Sequence, residues 1–199
     1  MYFGEMQNDC AHGQGRLILE NGDVYEGSWK MNSAHGFGKY HNGKVSSYEG
    51  EWFEDTQHGI GQEKWHDGEK FIGQYHKSQK NGVGTFYYKD GGIYKGEFLN
   101  GKINGIGEYL WKDNKRFFGK WKNGRMEGLG QFIWPDKKTY LGYFSNDMQD
   151  GFGKYNWSSQ KMHVGTWKMN KEDGEGYLLE KDNRKVGKWK NGRRIELIQ

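Results

Sequence analysis

Glycine recurs along this 199-residue chain with a period of 23 residues, and that period constrains the fold more than any other feature. One set of glycines steps by 23 from Gly4 to Gly165, and Gly187 follows after 22 residues. A second set forms eight Gly-x-Gly pairs in the same period, from Gly13/Gly15 to Gly174/Gly176. Two registers that stay in phase over eight periods predict a tandem array of one small unit.

Aromatic residues share this register. Rings flank each first-set glycine two residues before and two residues after, as Tyr140 and Phe144 flank Gly142. Because successive side chains of a β-strand alternate between its faces, this spacing puts both rings and the glycine on one face. The ends of the array depart from the pattern, with Met6 at the start and His163 near the end.

A second strand follows each Gly-x-Gly pair, and turn residues close the unit. The alternation of Gly107, Tyr109 and Trp111 predicts one apolar and one polar face. Asn-Gly and Asp-Gly pairs, such as Asn21-Gly22 and Asn100-Gly101, separate the strands and are expected to supply the positive φ angles of tight hairpin turns.

The predicted fold is therefore all-β: an elongated single antiparallel sheet of stacked β-hairpins. We expect the array to cover residues 1–192 and residues 193–199 to form a C-terminal tail or cap. The repeats are expected to start near residues 2, 25, 48, 71, 94, 117, 140 and 163, with a half repeat from 185.

The repeat unit resembles a known family. Tyr48-Glu49-Gly50-Glu51-Trp52, followed by His58-Gly59-Ile60-Gly61, is similar to the MORN repeat (membrane occupation and recognition nexus). The family includes radial spoke head proteins, junctophilins and several enzymes. In those enzymes the resemblance implies that catalysis belongs to a separate domain, and the repeats of this chain leave no residues for one. The resemblance implies a MORN-repeat protein of the radial-spoke-head or cytoskeletal-scaffold type.

Composition and charge indicate the cellular compartment of the chain and the charge of its partner. The one cysteine, Cys10, excludes an internal disulfide, and no apolar run or leader-like segment indicates a membrane or secretory route. We therefore expect a soluble cytoplasmic protein. Residues 1–100 hold ten basic and fourteen acidic residues, whereas residues 101–199 hold twenty and twelve, which suggests an acidic partner for the second half or head-to-tail association.

Candidate chemical groups all have simpler structural explanations. His12, His35 and His58 recur two strands apart, roughly 10 Å, too far to share one metal ion. Cys10 and His12 lack an orienting group, and Glu49 and Glu51 project from an open sheet face without a water-excluding cleft. The rings occupy framework positions, which argues against nucleic-acid binding. No catalytic residue, metal or cofactor is predicted, and the chain is expected not to be an enzyme.

Departures from the repeat indicate where a partner binds. Beside the framework glycine, residues that point away from the rings are mostly polar in the first half but become apolar from the sixth unit onward. Such a row would form a contiguous strip across adjacent strands, unless the sheet curls and covers it. The candidate docking residues are Phe118, Leu141, Tyr143, Val164 and Val186, with Lys120, Lys137 and Lys138 supplying charge.

Two functions remain open. The first is a non-enzymatic scaffold that binds protein partners, which the family resemblance places in a cilium, an axoneme or another cytoskeletal assembly. The alternative is a peripheral membrane adaptor whose basic half binds anionic phospholipid.

Overall fold

Each repeat folds into two strands. The computed structural model describes residues 1–198, and the chain divides into two compact units, Met1–Lys102 and Ile103–Gln199. The first unit contains β1 (Tyr2–Gln7), β2 (Cys10–Ile18), β3 (Val24–Lys30), β4 (Ser33–Asn42), β5 (Ser46–Phe53), β6 (Thr56–Trp65), β7 (Lys70–His76), β8 (Gln79–Tyr87) and β9 (Ile93–Leu99). The second unit begins within β10 (Lys102–Leu110) and continues with β11 (Arg116–Lys122), β12 (Arg125–Ile133), β13 (Thr139–Ser145), β14 (Met148–Ser158), β15 (Lys161–Lys168), β16 (Lys171–Glu180), β17 (Asn183–Lys190) and β18 (Arg193–Ile198).

The strands follow chain order in one antiparallel sheet of 18 strands. Framework glycines face one another across neighbouring strands, as Gly130 faces both Gly119 and Gly142. The predicted all-β fold, a single antiparallel sheet of stacked hairpins, is confirmed. Residues 1–198 contain no helix long and apolar enough to cross a membrane.

The core lies on one face of the sheet, which we call the ring face; the opposite side is the outer face. The ring two residues before the framework glycine is buried in every repeat from Tyr25 to His163, and Tyr140 is 0% exposed. A Cβ on Gly142 would lie 2.6 Å from the Tyr140 hydroxyl and 2.5 Å from Gly153 Cα, so the ring occupies the space that the glycine pair leaves. The Tyr140 hydroxyl donates a hydrogen bond to the Tyr143 carbonyl at 3.1 Å.

The ring two residues after the glycine closes the packing against the preceding strand. Trp121 donates its indole N–H to the Gly107 carbonyl at 3.1 Å, and Trp167 does the same to Gly153 at 3.3 Å. Phe117 meets Trp121 edge to face at 5.1 Å between ring centroids. These paired rings give a one-layer sheet a buried core without a second layer.

Two kinds of turn alternate. Within a repeat, both central residues have positive φ, as in Asn100 (50°) and Gly101 (77°), and the pair Met31 (49°) and Asn32 (68°) achieves this without glycine. Between repeats, one residue does: a glycine such as Gly68 (95°), or Asn114 (65°) and Lys137 (69°) where the turn has no glycine. The Asn-Gly and Asp-Gly pairs therefore supply positive φ angles, as expected: both residues do so within a repeat, and the glycine alone does so between repeats. In the turns between repeats the Asn or Asp side chain instead accepts a hydrogen bond from the N–H two residues on. Examples are Asp67 to Glu69 at 3.2 Å, Asp90 to Gly92 at 2.8 Å and Asn21 to Asp23 at 3.1 Å.

Turn side chains also join one hairpin to the next. The Asp55 carboxylate accepts a hydrogen bond from the backbone N–H of Ala34 at 2.7 Å, and the Asp55 N–H donates to the Ala34 carbonyl at 3.1 Å. Asn32 makes the same two bonds to Ala11, at 2.7 and 3.0 Å. Neighbouring repeats are thus connected at the turns as well as along the strands.

The C-terminal tail extends the sheet. Residues 193–198 form β18, which pairs with β17 from Val186↔Ile198 to Lys190↔Arg193. Ile195 and Leu197 are 66% and 58% exposed. The remaining residue of the predicted tail or cap, Gln199, lies outside the described residues, and the boundary at residue 192 stays a prediction.

Candidate docking surface

Exposed apolar side chains cluster on the outer face of the second unit. Leu129 lies directly opposite Tyr143, while Gln131 lies between Phe118 and Leu141. Tyr143 also leans over Gly151, beside Phe152. Each member of this cluster is between 49 and 58% exposed. We call it the outer patch, and it consists of Phe118, Leu129, Leu141, Tyr143 and Phe152.

The predicted row is only partly contiguous. Its members lie on alternate strands, and the polar residues Gln131 and Lys154 occupy the strands between Phe118, Leu141 and Val164. The expectation of a continuous strip over adjacent strands is therefore wrong in this region, because every second strand belongs to the other half of a hairpin.

A continuous apolar row does form further along. Val164 and Val186 are half-buried, and Tyr177 lies opposite both. Ile198 lies opposite Val186 on the next strand, so the row has four members, and the sequence reasoning missed two of them, Tyr177 and Ile198.

The three predicted lysines lie in different places. Lys120 is exposed on the outer face, where its side chain lies over Gly128. Lys137 is exposed in the turn before β13 with φ of 69°. Lys138 forms an ion pair with Asp136 at 2.8 Å, which raises the pKa of the Lys138 ammonium, and it shares the ring face with Tyr140. Lys137 and Lys138 therefore do not border the outer patch, which is a correction to the predicted site.

Lys154 is the basic residue that sequence reasoning missed. It lies between Leu141 and Val164 on the outer face. Among residues 1–198, neither Lys120 nor Lys154 has a carboxylate within ion-pair distance, whereas Arg116 pairs with Glu108 at 3.2 Å. The two lysines give the outer patch a positive margin.

The middle residue of Gly-x-Gly was also missed. It points to the outer face and is apolar in six of the eight repeats, with exposures from 46 to 62%. The signal was present in the sequence as a third periodic position. Its apolar members are Phe37, Ile60, Val83, Ile106, Leu129 and Phe152.

Comparison with known proteins decides the family. The sequence matches the MORN repeat over residues 2–24, 25–44, 48–70, 71–93, 94–116, 117–139, 140–162 and 163–179. The chain belongs to the MORN-repeat family. The radial-spoke type stays a prediction, and no curated protein sequence matches the whole chain.

Solved structures share the fold of this MORN array. The wild-type TCP10 domain of Danio rerio CPAP superposes with a TM-score of 0.52 at 10% identity, over 94% of this chain and 88% of that one. The same domain in complex with a peptide of Danio rerio STIL gives 0.55 at 10% identity, over 94% and 82%. At this identity the likeness concerns the fold.

The first unit of the MORN array presents a different outer face. Its middle residues lie opposite polar groups, Ile60 facing Gln74 and Val83 facing Glu97. The Lys39 and Glu49 side chains form an ion pair at 3.2 Å. Apolar side chains are therefore isolated in the first unit and clustered in the second.

The candidate chemical groups take structural positions in the MORN repeats. Glu51 accepts a hydrogen bond from the Ile60 N–H at 2.9 Å, and Gln74 accepts one from Val83 at 2.8 Å. The His35 and His58 rings contact Phe53, at 5.1 and 5.7 Å between centroids. Within residues 1–198 no three His, Cys, Asp or Glu side chains come together as a metal site. Cys10 is half-buried at the start of β2.

Proposed function

We propose that this chain is a non-enzymatic scaffold that binds protein partners through the outer patch of its second unit. The observation that carries the proposal is the cluster of five side chains, each about half exposed, beside two unpaired lysines. Clusters of exposed apolar residues rimmed by charge mark interaction sites on soluble proteins. The peptide held by the TCP10 domain of Danio rerio CPAP supports the idea that a sheet of this fold can bind a peptide.

The partner segment that suits this surface is amphipathic and acidic. Leu129, Leu141 and Tyr143 would contact its apolar side chains, and Lys120 and Lys154 would attract its carboxylates. Apolar burial would set the lifetime of the complex, and the lysines would set its rate of formation and salt dependence. We propose a cytoplasmic, cytoskeletal setting, such as a ciliary axoneme, on family resemblance alone.

The test compares retention of native partners by matched variants. The double variant Leu141→Ser with Tyr143→Ser should retain at least tenfold less of a partner than the unaltered chain does, since both side chains lie at the centre of the patch. Ile60→Ser with Val83→Ser removes two exposed apolar side chains from the outer face of the first unit and should retain the partner. Loss only in the first-unit variant would refute the proposal.

A second candidate is an adaptor for anionic phospholipid, favoured by the unpaired Lys120 and Lys154. Flotation of the chain with phosphatidylserine vesicles measures it directly. Binding that disappears between about 0.1 and 0.5 M salt, and in Lys120→Glu with Lys154→Glu, would support the lipid function. No flotation would leave the protein-binding proposal as the account of this surface.

A further inference from the structure

An aromatic ladder runs along the ring face of the second unit, near the turns between repeats. At the end of each second strand two rings lie close together, with centroids 4.5, 4.5 and 4.8 Å apart. The strand pairs connect at 5.4 Å, between Trp111 and Phe132, and at 5.2 Å, between Trp134 and Tyr155. All six rings are partly exposed. The aromatic ladder consists of Tyr109, Trp111, Phe132, Trp134, Tyr155 and Trp157.

The ladder tryptophans differ from the framework tryptophans in their hydrogen bonding. Trp167 donates its indole N–H to a glycine carbonyl. Within the part of the chain that the structure describes, the indole N–H groups of Trp111, Trp134 and Trp157 have no protein acceptor. An indole can only donate, so the ladder offers three donors, one per repeat, to a ligand that supplies acceptors.

Three lysines at the margin of the ladder, one for each repeat, are already neutralised by carboxylates. Lys115 pairs with Asp113 at 2.7 Å, and Lys138 pairs with Asp136 at 2.8 Å. Lys161 pairs with Glu180 at 3.1 Å. A polyanion such as single-stranded nucleic acid needs free cations along its backbone, so this margin favours an uncharged ligand.

The ladder has the period of a polyproline II helix. Equivalent rings are two strands apart, about 9.6 Å at the usual spacing between strands. Polyproline II has three residues per turn and rises about 3.1 Å per residue, so every third residue recurs after about 9.3 Å. The mismatch across the three repeats stays below about 1 Å. Proline lacks a backbone N–H and presents only carbonyl acceptors, which complements a surface of indole donors.

We propose that the aromatic ladder binds a proline-rich segment of a partner in the polyproline II conformation, with a proline at every third position. The segment crosses the strands of the second unit, its pyrrolidine rings pack on the aromatic faces, and its carbonyls accept from Trp111, Trp134 and Trp157. This inference deepens the proposed scaffold function, but it uses the ring face rather than the outer patch.

Titration calorimetry of the full chain with nonaproline tests the ladder. The triple variant with Trp111, Trp134 and Trp157 each changed to phenylalanine keeps the rings and removes the three donors. It should bind nonaproline about a hundredfold more weakly, at about fivefold per lost hydrogen bond. An unchanged melting temperature confirms that the triple variant is folded. Unaltered affinity in the folded triple variant, or no binding by the unaltered chain, would overturn the proposal.

Two further ligands distinguish the alternative occupants. Cellohexaose tests a flat sugar polymer, and a dodecamer of deoxythymidine tests single-stranded DNA. Either one binding the ladder more tightly than nonaproline would contradict the proposal. Leu141→Ser with Tyr143→Ser should bind nonaproline as the unaltered chain does, since those residues are on the outer face. The experiments can therefore refute partner binding by the outer patch and nonaproline binding by the ladder independently of each other.

Discussion

At the residue scale, each framework glycine and its ring form a matched pair. The Tyr140 ring covers Gly142 and Gly153, and the same relation joins Phe71 to Gly73 and Gly84. The ring can be this deeply buried in a single-layer sheet only because the glycines have no side chain.

Replacing Gly142 by alanine should destabilise the fold by about 2 kcal/mol or more, because the new Cβ would clash with Gly153 and the ring. Chemical denaturation measures the change. Leu141→Ala alters the adjacent residue on the outer face and should cost less than about 1 kcal/mol. Equal losses in the two variants would contradict the assignment of faces.

His163 takes the place of a tyrosine or phenylalanine in the eighth framework position. It is 1% exposed, and its ring lies 4.6 Å from that of Trp189. Nε2 has no hydrogen-bond partner among the described residues. Burial lowers the pKa of His163 from 6.5 to about 4, so the folded state holds this imidazole neutral.

The stability of the chain should therefore fall in mild acid. The pKa of His163 is lower in the folded than in the unfolded chain, so the unfolded state binds the extra proton. The full contribution is present above about pH 6.5, and up to about 3 kcal/mol is lost as the pH falls toward 4. His163→Tyr, measured by denaturation across this range, should remove that part of the slope. An identical slope in the variant would show that other groups cause it.

The framework was predictable residue by residue because its signal is periodic. The buried rings Tyr48, Phe117 and Tyr140 follow from their spacing around glycine. The hydrogen bond that the Ile60 N–H donates to the Glu51 carboxylate was not predictable, since strand bulges shift which residues meet across strands.

At the element scale, turns join successive hairpins. Alternation predicted the strands and glycine marked many turns, yet turns such as Met31-Asn32 and Glu54-Asp55 have no glycine. The recurring Asn or Asp at their second position was the available signal, and its role appears only once neighbouring hairpins are placed.

Asp55→Gly should destabilise the chain by about 1 to 3 kcal/mol, because the buried N–H of Ala34 loses its acceptor. Glycine tolerates the positive φ of residue 55, so strain does not confuse the result. Hydrogen exchange at the Ala34 amide should accelerate, whereas Asp55→Asn keeps the acceptor and should preserve protection. If the Ala34 amide exchanged slowly in both variants, the contact between Asp55 and Ala34 would be dispensable.

The position of each lysine predicts its effect on association. Lys120→Glu with Lys154→Glu should slow partner binding at low salt, because these unpaired cations border the outer patch. Lys137→Glu with Lys138→Glu should have a smaller effect, since both lie away from the patch and Lys138 already pairs with Asp136. Association rates measured at two salt concentrations decide between them. If Lys137→Glu with Lys138→Glu slowed association more, the docking surface would lie at the turns and not at the outer patch.

At the scale of the whole molecule, the two units share one repeat but differ in surface. The sequence predicted that the second half carries the apolar departures, and it identified Phe118, Leu141 and Tyr143, which are exposed. It could not group them correctly, because neighbours across a sheet come from different hairpins. Leu129 and Phe152 join the patch through pairing and bulge geometry, which local spacing does not specify.

The most direct test of the scaffold account is photo-crosslinking from defined positions within the native assembly. A benzophenone amino acid at position 143 should crosslink to a partner protein, and one at position 129 should crosslink to the same segment of it. The same probe at position 74, on the outer face of the first unit, should give at least tenfold less product. Crosslinks mainly from position 74, or none from 129 and 143, would contradict the outer patch as the docking surface.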